Sequence, residues 1–276
     1  MLSVCRVWSV ASAMVLATSA AAQPRFILPV IDPVKPGEAI RLRIEDEHAK
    51  SCDWPAHEAA WVFTRSVGKQ QNAQRPEADK DQPGWTVMEA QRPGLVCVGV
   101  DFEERTAMMT PGELIEIADR GGATDAAAAL GKLDAKKAIT VRRVDSARGV
   151  VLVRNGPDAA PAATAAVTSK TGQAVEIRPL LDPVHAPLQT DVMLRLYVLG
   201  SSVAGAVLTG TNLDTGESVR LAADASGIVT LRVINAGRWR VWMEHVRLER
   251  GEDGGATWTV YTGSLAFTSR AEVAKP

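Results

Sequence analysis

The sequence is short of the residues that usually carry chemistry. Cysteine occurs three times in 276 residues, histidine four times, tyrosine twice and phenylalanine four times. No G-x-x-x-x-G-K-[ST] phosphate cradle, no G-x-S-x-G elbow and no dinucleotide fingerprint in a strand–helix–strand setting is present, so the sequence signatures of three enzyme groups are missing. An excess of one charge is missing too: 31 Lys and Arg stand against 32 Asp and Glu, a net of −1 at pH 7. A nucleic-acid binder leaves a basic footprint, and this chain has none. A carboxylate pair for glycoside hydrolysis is defined by spatial separation, which sequence does not give.

What is present begins with an address. Arg6 supplies a positive start, Val7 to Thr18 an apolar stretch, and Ala20-Ala21-Ala22 an A-x-A cleavage signal before Gln23. This pattern predicts a signal peptide over 1–22, cut between Ala22 and Gln23. Beyond it no apolar run reaches the roughly 20 residues that cross a bilayer, so no transmembrane segment is expected. Cleavage leaves Cys52 and Cys97 in a compartment where disulfides persist, and their pairing is the expectation. Two separate buried thiols are the alternative, because free Cys packs as a small hydrophobe.

The remaining chain reads as mainly β. Ala39 to Ile44 alternates apolar and basic residues, Ala60 to Arg65 and Trp85 to Glu89 are aromatic and β-branched, and Leu95 to Val100 is apolar enough for a strand covered on both faces. A helical insertion near 110–133 interrupts them. Thr110, Pro111 and Glu113 have the spacing of a capping box with Pro at the first helical position, Gly121-Gly122 stops the helix, and a second helix is expected from Thr124 to Leu133. Ile139 to Val144 and Val150 to Val153 return to strand, closing an N-terminal domain at 23–154. Residues 155–172, small and proline-containing, read as a linker. Beyond it, Val192 to Val198, Val229 to Val233 and Trp239 to Met243 alternate with period two, and turns at 213–216 and 224–227 space the strands for a β-sandwich over 173–269. Residues 270–276 form a tail.

Candidate ligands are sparse. The densest donor group is Glu45 to His48 with Cys52, Asp53, His57 and Glu58; imidazole and carboxylate suit a divalent transition metal. Its spacing matches no standard zinc pattern, and a solvated acidic loop is the competing reading. His245 continues the face of Trp239, Val241 and Met243 and should point into the sandwich or its rim, with Glu244 on the opposite face. His185 follows Asp182-Pro183 and reads as exposed.

Five blocks carry a family resemblance: Val175 to Pro183, Leu194 to Val207, Asp224 to Gly227, Ala236 to His245 and Trp258 to Phe267. In order and spacing they resemble the periplasmic domain-of-unknown-function family 4198, some of whose members are linked to nickel or cobalt uptake. The resemblance implies an immunoglobulin-like C-terminal sandwich behind an N-terminal β domain, two sandwich-like units in all, exported to the periplasm. It departs at the mature N-terminus, where the family's His is replaced by Gln23-Pro24-Arg25-Phe26. It implies a non-enzymatic accessory protein handling nickel, cobalt or zinc through His48, Asp53, His57 or His245, beside an uptake transporter or outer-membrane receptor. The other readings are an envelope interaction module without a small ligand and, last, a hydrolase with an unrecognised carboxylate pair.

Overall fold

The computed structural model describes residues 24–29, 33–46, 60–66, 69–72, 85–89, 93–154, 165–251 and 254–270. The leader with its Ala22–Gln23 junction, and His48, Cys52, Asp53 and His57, lie outside the described residues.

Strands are numbered in chain order. The C-terminal part holds β9 (Val175–Pro179), β10 (Thr190–Val198), β11 (Ser201–Ser202), β12 (Val207–Asn212), β13 (Ser218–Ala222), β14 (Ile228–Val233), β15 (Gly237–Arg250) and β16 (Ala256–Ser269). β10 pairs antiparallel with β9 on one side and with β14, continued by β11, on the other. Opposite them run β13, β12, β15 and β16 in that order, again antiparallel. Leaving β11 aside, the first, second and fifth strands of this part form one sheet and the other four the second, which is an immunoglobulin-like layout. Val192, Leu194, Leu196 and Val198 on one sheet and Trp239, Val241, Met243, Leu265 and Phe267 on the other are buried in one core, as their alternation predicts. Asp224 turns the chain into β14: its Oδ1 accepts from the amides of Ser226 and Ile228 at 2.8 and 2.9 Å. Gly227 takes the positive φ, +73°, that the turn requires.

The sandwich does not end at β16. Its outer edge pairs in parallel with β8 (Ile139–Val153), from Trp258↔Val141 to Ala266↔Gly149. From β8 the sheet continues through β6 (Gly94–Phe102) to β3 (Ala60–Ser66) and β4 (Lys69–Asn72), with β7 (Arg105–Met109) beside the first part of β8. One nine-stranded sheet therefore spans both halves of the chain. The divisions expected at 154 and 173 do not separate two self-contained sandwiches, since Leu95, Val144, Val150 and Leu152 enter the C-terminal core. The physical reason is the unpaired edge of β16, whose backbone groups need partners. β8 is also one strand, where Asp145, Ser146 and Arg148 suggest a break.

The far face of this sheet carries two covers. A three-stranded sheet of β1 (Phe26–Pro29), β2 (Ala39–Glu45) and β5 (Trp85–Glu89) places Ile27, Ile40, Leu42 and Ile44 against Val96, Val98, Val100, Val151 and Val153. β6 is thus covered on both faces, as its composition requires. The second cover is the helical pair α1 (Pro111–Arg120) and α2 (Thr124–Leu130), which buries Leu114, Ile117 and Leu130 against Val141, Val246, Trp258 and Val260. Thr110 Oγ1 accepts from the Glu113 amide at 3.2 Å and Glu113 Oε2 accepts from the Thr110 amide at 2.7 Å, so the capping box is complete. α2 stops at Leu130 rather than Leu133, with a turn following from Gly131.

Between the covers runs a belt of buried charge. Glu244 Oε2 accepts from Arg120 Nη2 at 2.5 Å, Arg143 lies 3.5 Å from Glu244 and donates to Thr262 Oγ1 at 3.2 Å, and Asp145 pairs with Arg105. Charges this deep are tolerated because each faces an opposite charge.

Candidate functional site

Of the four expected metal ligands, His245 alone belongs to the described residues. It sits where β15 runs past the end of β12, beyond the core residues Trp239, Val241 and Met243, and so occupies the rim of the sandwich. Here the sheet, the helical cover and β11 leave a cleft of about 490 Å³, within the 300–1,000 Å³ range of ligand pockets. One wall is α2 with the turn before it, the second is the β10–β11 segment from Val198 to Ala204, and the third is four consecutive residues of β15, His245 to Leu248, with Trp258 behind them.

The electrostatics of the cleft follow from burial. Desolvation, and after it the Arg247 charge, hold the His245 imidazole below the ordinary histidine value. The ring is therefore neutral at pH 7. Its Nδ1 is buried without a hydrogen-bond partner among the described residues, an arrangement that costs free energy unless something supplies the bond. Tyr261, directly opposite His245 in the ladder, donates its hydroxyl to Glu249 Oε1 at 2.6 Å. Burial and that carboxylate push its pKa up to about 12, so it remains a donor. Glu249 pairs in turn with Arg142, which lies 3.6 Å from Glu104.

The other sequence candidates are placed as follows. Glu244 points to the face opposite His245, into the charged belt, so the neighbouring pair does not chelate one ion. His185 is exposed and its Nδ1 lies 2.7 Å from Asp182 Oδ2. Among the described residues no group of three His, Cys, Asp or Glu is assembled for a metal.

Cys97 is a free, fully buried thiol. The bridge expected to Cys52 is therefore not made at this end. A cation occupies the space beside the sulfur instead: Arg148 Nε and Nη2 each donate to Cys97 Sγ at 3.3 Å. Arg148 also donates to Glu176 Oε1 at 3.1 Å and to the carbonyls of Val167 and Ile177. These bonds fix the short helix α3 (Ala165–Thr168), so the second half of the expected linker is docked, with Ala166 and Val167 buried. Gln173 Nε2 adds bonds to the carbonyls of Val100 and Ala147 at 3.2 Å. Sequence reading missed this seam; its signal is a lone arginine between Ala147 and Gly149 in a strand that is otherwise apolar from there on.

No protein-family model matches the chain, and no curated protein matches it. Among solved structures it is similar to the D0-D1 domain of intimin, at 13% identity and a TM-score of 0.19 over 88% of this chain and 96% of that one. It is similar to the ectodomain of mouse nectin-like molecule 4, at 12% identity and a TM-score of 0.18 over 92% and 67% of the two chains. Native alpha-2-macroglobulin from Escherichia coli, spanning domains MG0-NIE-MG1, matches at 10% identity and a TM-score of 0.19 over 84% and 96%. Scores this low add nothing to the strand order, and the immunoglobulin-like layout of the C-terminal part rests on the pairing of its own strands.

Proposed function

We propose that this is an exported, non-enzymatic binding module of the periplasm whose ligand seats in the His245 cleft. The observation that carries the reading is the cleft itself, a space of about 490 Å³ large enough for a ligand, with the neutral His245 imidazole among its lining residues. A neutral ring has one donor and one acceptor nitrogen, with roles set by its tautomer. Export rests on the leader, and the partner expected from it is an envelope component such as an uptake transporter or outer-membrane receptor.

The described residues do not fit nickel, cobalt or zinc. A single imidazole beside Arg247 is a poor cation site, because the guanidinium repels a second positive charge. Metal handling in this protein would have to rest on His48, Asp53 and His57.

Two measurements test the reading. Solvent mapping by NMR, with phenol and isopropanol titrated into the full mature chain, should shift His245, Leu248 and Trp258 together; probes that gather elsewhere overturn the cleft as the binding site. Thermal unfolding with nickel, cobalt, zinc or copper decides the metal question, since a ligand at 100 times its Kd adds about 2.7 kcal/mol. A shift lost in His48→Ala and His57→Ala but kept in His245→Ala assigns metal to that segment. An intact mass beginning at Gln23 for protein recovered from the envelope tests export.

A further inference from the structure

The four residues of β15 that line the cleft, His245, Val246, Arg247 and Leu248, are consecutive. Side chains of consecutive strand residues point to opposite faces. A cleft lined by both sets therefore meets the strand along its edge. That edge is open, because β12 pairs with β15 only as far as Leu208↔Met243 while β15 runs on to Arg250.

The ladder shows which backbone groups the edge presents. The hairpin closes with the Gly251 amide donating to the Gly255 carbonyl at 2.7 Å, which makes the odd-numbered residues of β15 the ones bonded to β16. The even-numbered residues point the other way. Accordingly the Glu244 carbonyl lies against Gly121, where a β-carbon would come within 2.2 Å of its oxygen. Past Glu244, the amides and carbonyls of Val246, Leu248 and Arg250 face the open side, and no inter-element bond to them is found among the described residues. Open strand edges are templates for another strand.

We propose that the cleft takes an extended peptide segment that adds to β15 as a strand over Val246 to Arg250, with a carboxylate opposite Arg247 and apolar side chains on the other face. This deepens the binding reading above and rests on it. The side-chain rule follows from the two faces. Arg247 is exposed on the face of His245 and makes no ion pair among the described residues, whereas Leu248, 45% exposed, presents apolar surface on the opposite face with the buried Trp258 behind it. An added strand alternates in the same way, so it meets a cation on one side and apolar surface on the other. Asp125, on the helical wall, is the other charged residue of the lining, and it disfavours a peptide acidic at every position. One carboxylate among apolar and hydroxyl side chains fits best.

The test uses the isotope-labelled mature chain and the peptide Val-Thr-Val-Glu-Val-Thr-Val, with a second peptide carrying Lys in place of Glu. Saturable binding should shift the amides of Val246, Leu248 and Arg250 and slow their exchange with solvent, while those of His245, Arg247 and Glu249, already bonded to β16, change little. The Lys peptide should bind at least tenfold more weakly, and Arg247→Glu should reverse that order without altering the fold. Leu248→Pro removes one edge donor and leaves the β16 ladder intact, and should abolish binding. No saturable binding of either peptide overturns the inference, as does binding whose shifts map to the β13 edge or self-association that protects the same three amides without peptide. If phenol and isopropanol still gather at His245 in that case, the cleft stands as a binding site and the peptide is the part that fails.

Discussion

Gly121 and Glu244 are in backbone contact: the end of α1 packs so closely on β15 that a β-carbon at Gly121 would sit 2.2 Å from the Glu244 carbonyl oxygen. Three bonds surround this point. Arg120 grips the Glu244 carboxylate, the Gly121 carbonyl accepts from the Val207 amide at 3.0 Å, and the Arg120 carbonyl accepts from Arg220 at 2.8 Å. The helical cover is thereby fastened to both β12 and β15, and it builds one wall of the cleft.

Gly121→Ala should therefore loosen the cover. The φ of −86° is open to alanine, so the cost is steric, roughly 1–3 kcal/mol for overpacking against rigid backbone. Urea unfolding reads it directly. A stability equal to that of the parent chain would show that the helix end can move aside.

Arg148→Met should be among the most damaging single changes, because it strands Glu176 in the interior with both partners 1% exposed. Removing one member of a buried pair costs about 3–5 kcal/mol. Glu176→Gln in the same chain should recover part of that loss, and a double-mutant cycle by urea denaturation measures the coupling.

The thiol of Cys97 should be silent to an aqueous thiol reagent in the folded protein and reactive in denaturant without any reductant. Burial and the Arg148 contact account for the first result and the free state of the sulfur for the second. If denatured protein reacts only after reduction, Cys97 is disulfide-bonded and the prediction of a free thiol fails.

His245 should make stability fall as the solution is acidified. Its folded-state pKa is lowered, so below the ordinary value of 6.5 the unfolded chain binds a proton that the folded chain refuses. The loss begins as pH drops through 6.5 and continues down to the folded-state pKa. Burial raises the pKa of Asp101 and of Glu45, which acts in the opposite direction. The informative quantity is thus the difference between parent and His245→Gln chains, measured by urea unfolding from pH 7.5 to 5.5: the parent should lose more.

Local chemistry made much of this structure legible. Period-two alternation located β10, β14 and the core part of β15, and the spacing of Thr110, Pro111 and Glu113 placed the start of α1 correctly. The same alternation put His245 on the sandwich side of β15, in the core or at its rim, and Glu244 on the other face. Polar residues misled where their partners are distant in sequence. Asp145 and Arg148 look like a break in β8 because Arg105 and Glu176, which neutralise them, lie 40 and 28 residues away.

The sequence by itself determined the alternating strands β10, β14 and β15, the start of α1, the turns at 213–216 and 224–227 and which faces of those strands are apolar, since these depend on neighbours within a few positions along the chain. The tertiary structure decided the rest: the parallel pairing of β16 with β8, the burial of the charged belt, the cation beside Cys97 and the open edge past Met243. Each depends on which backbone groups and charges from remote segments meet, and on where one strand outruns its neighbour.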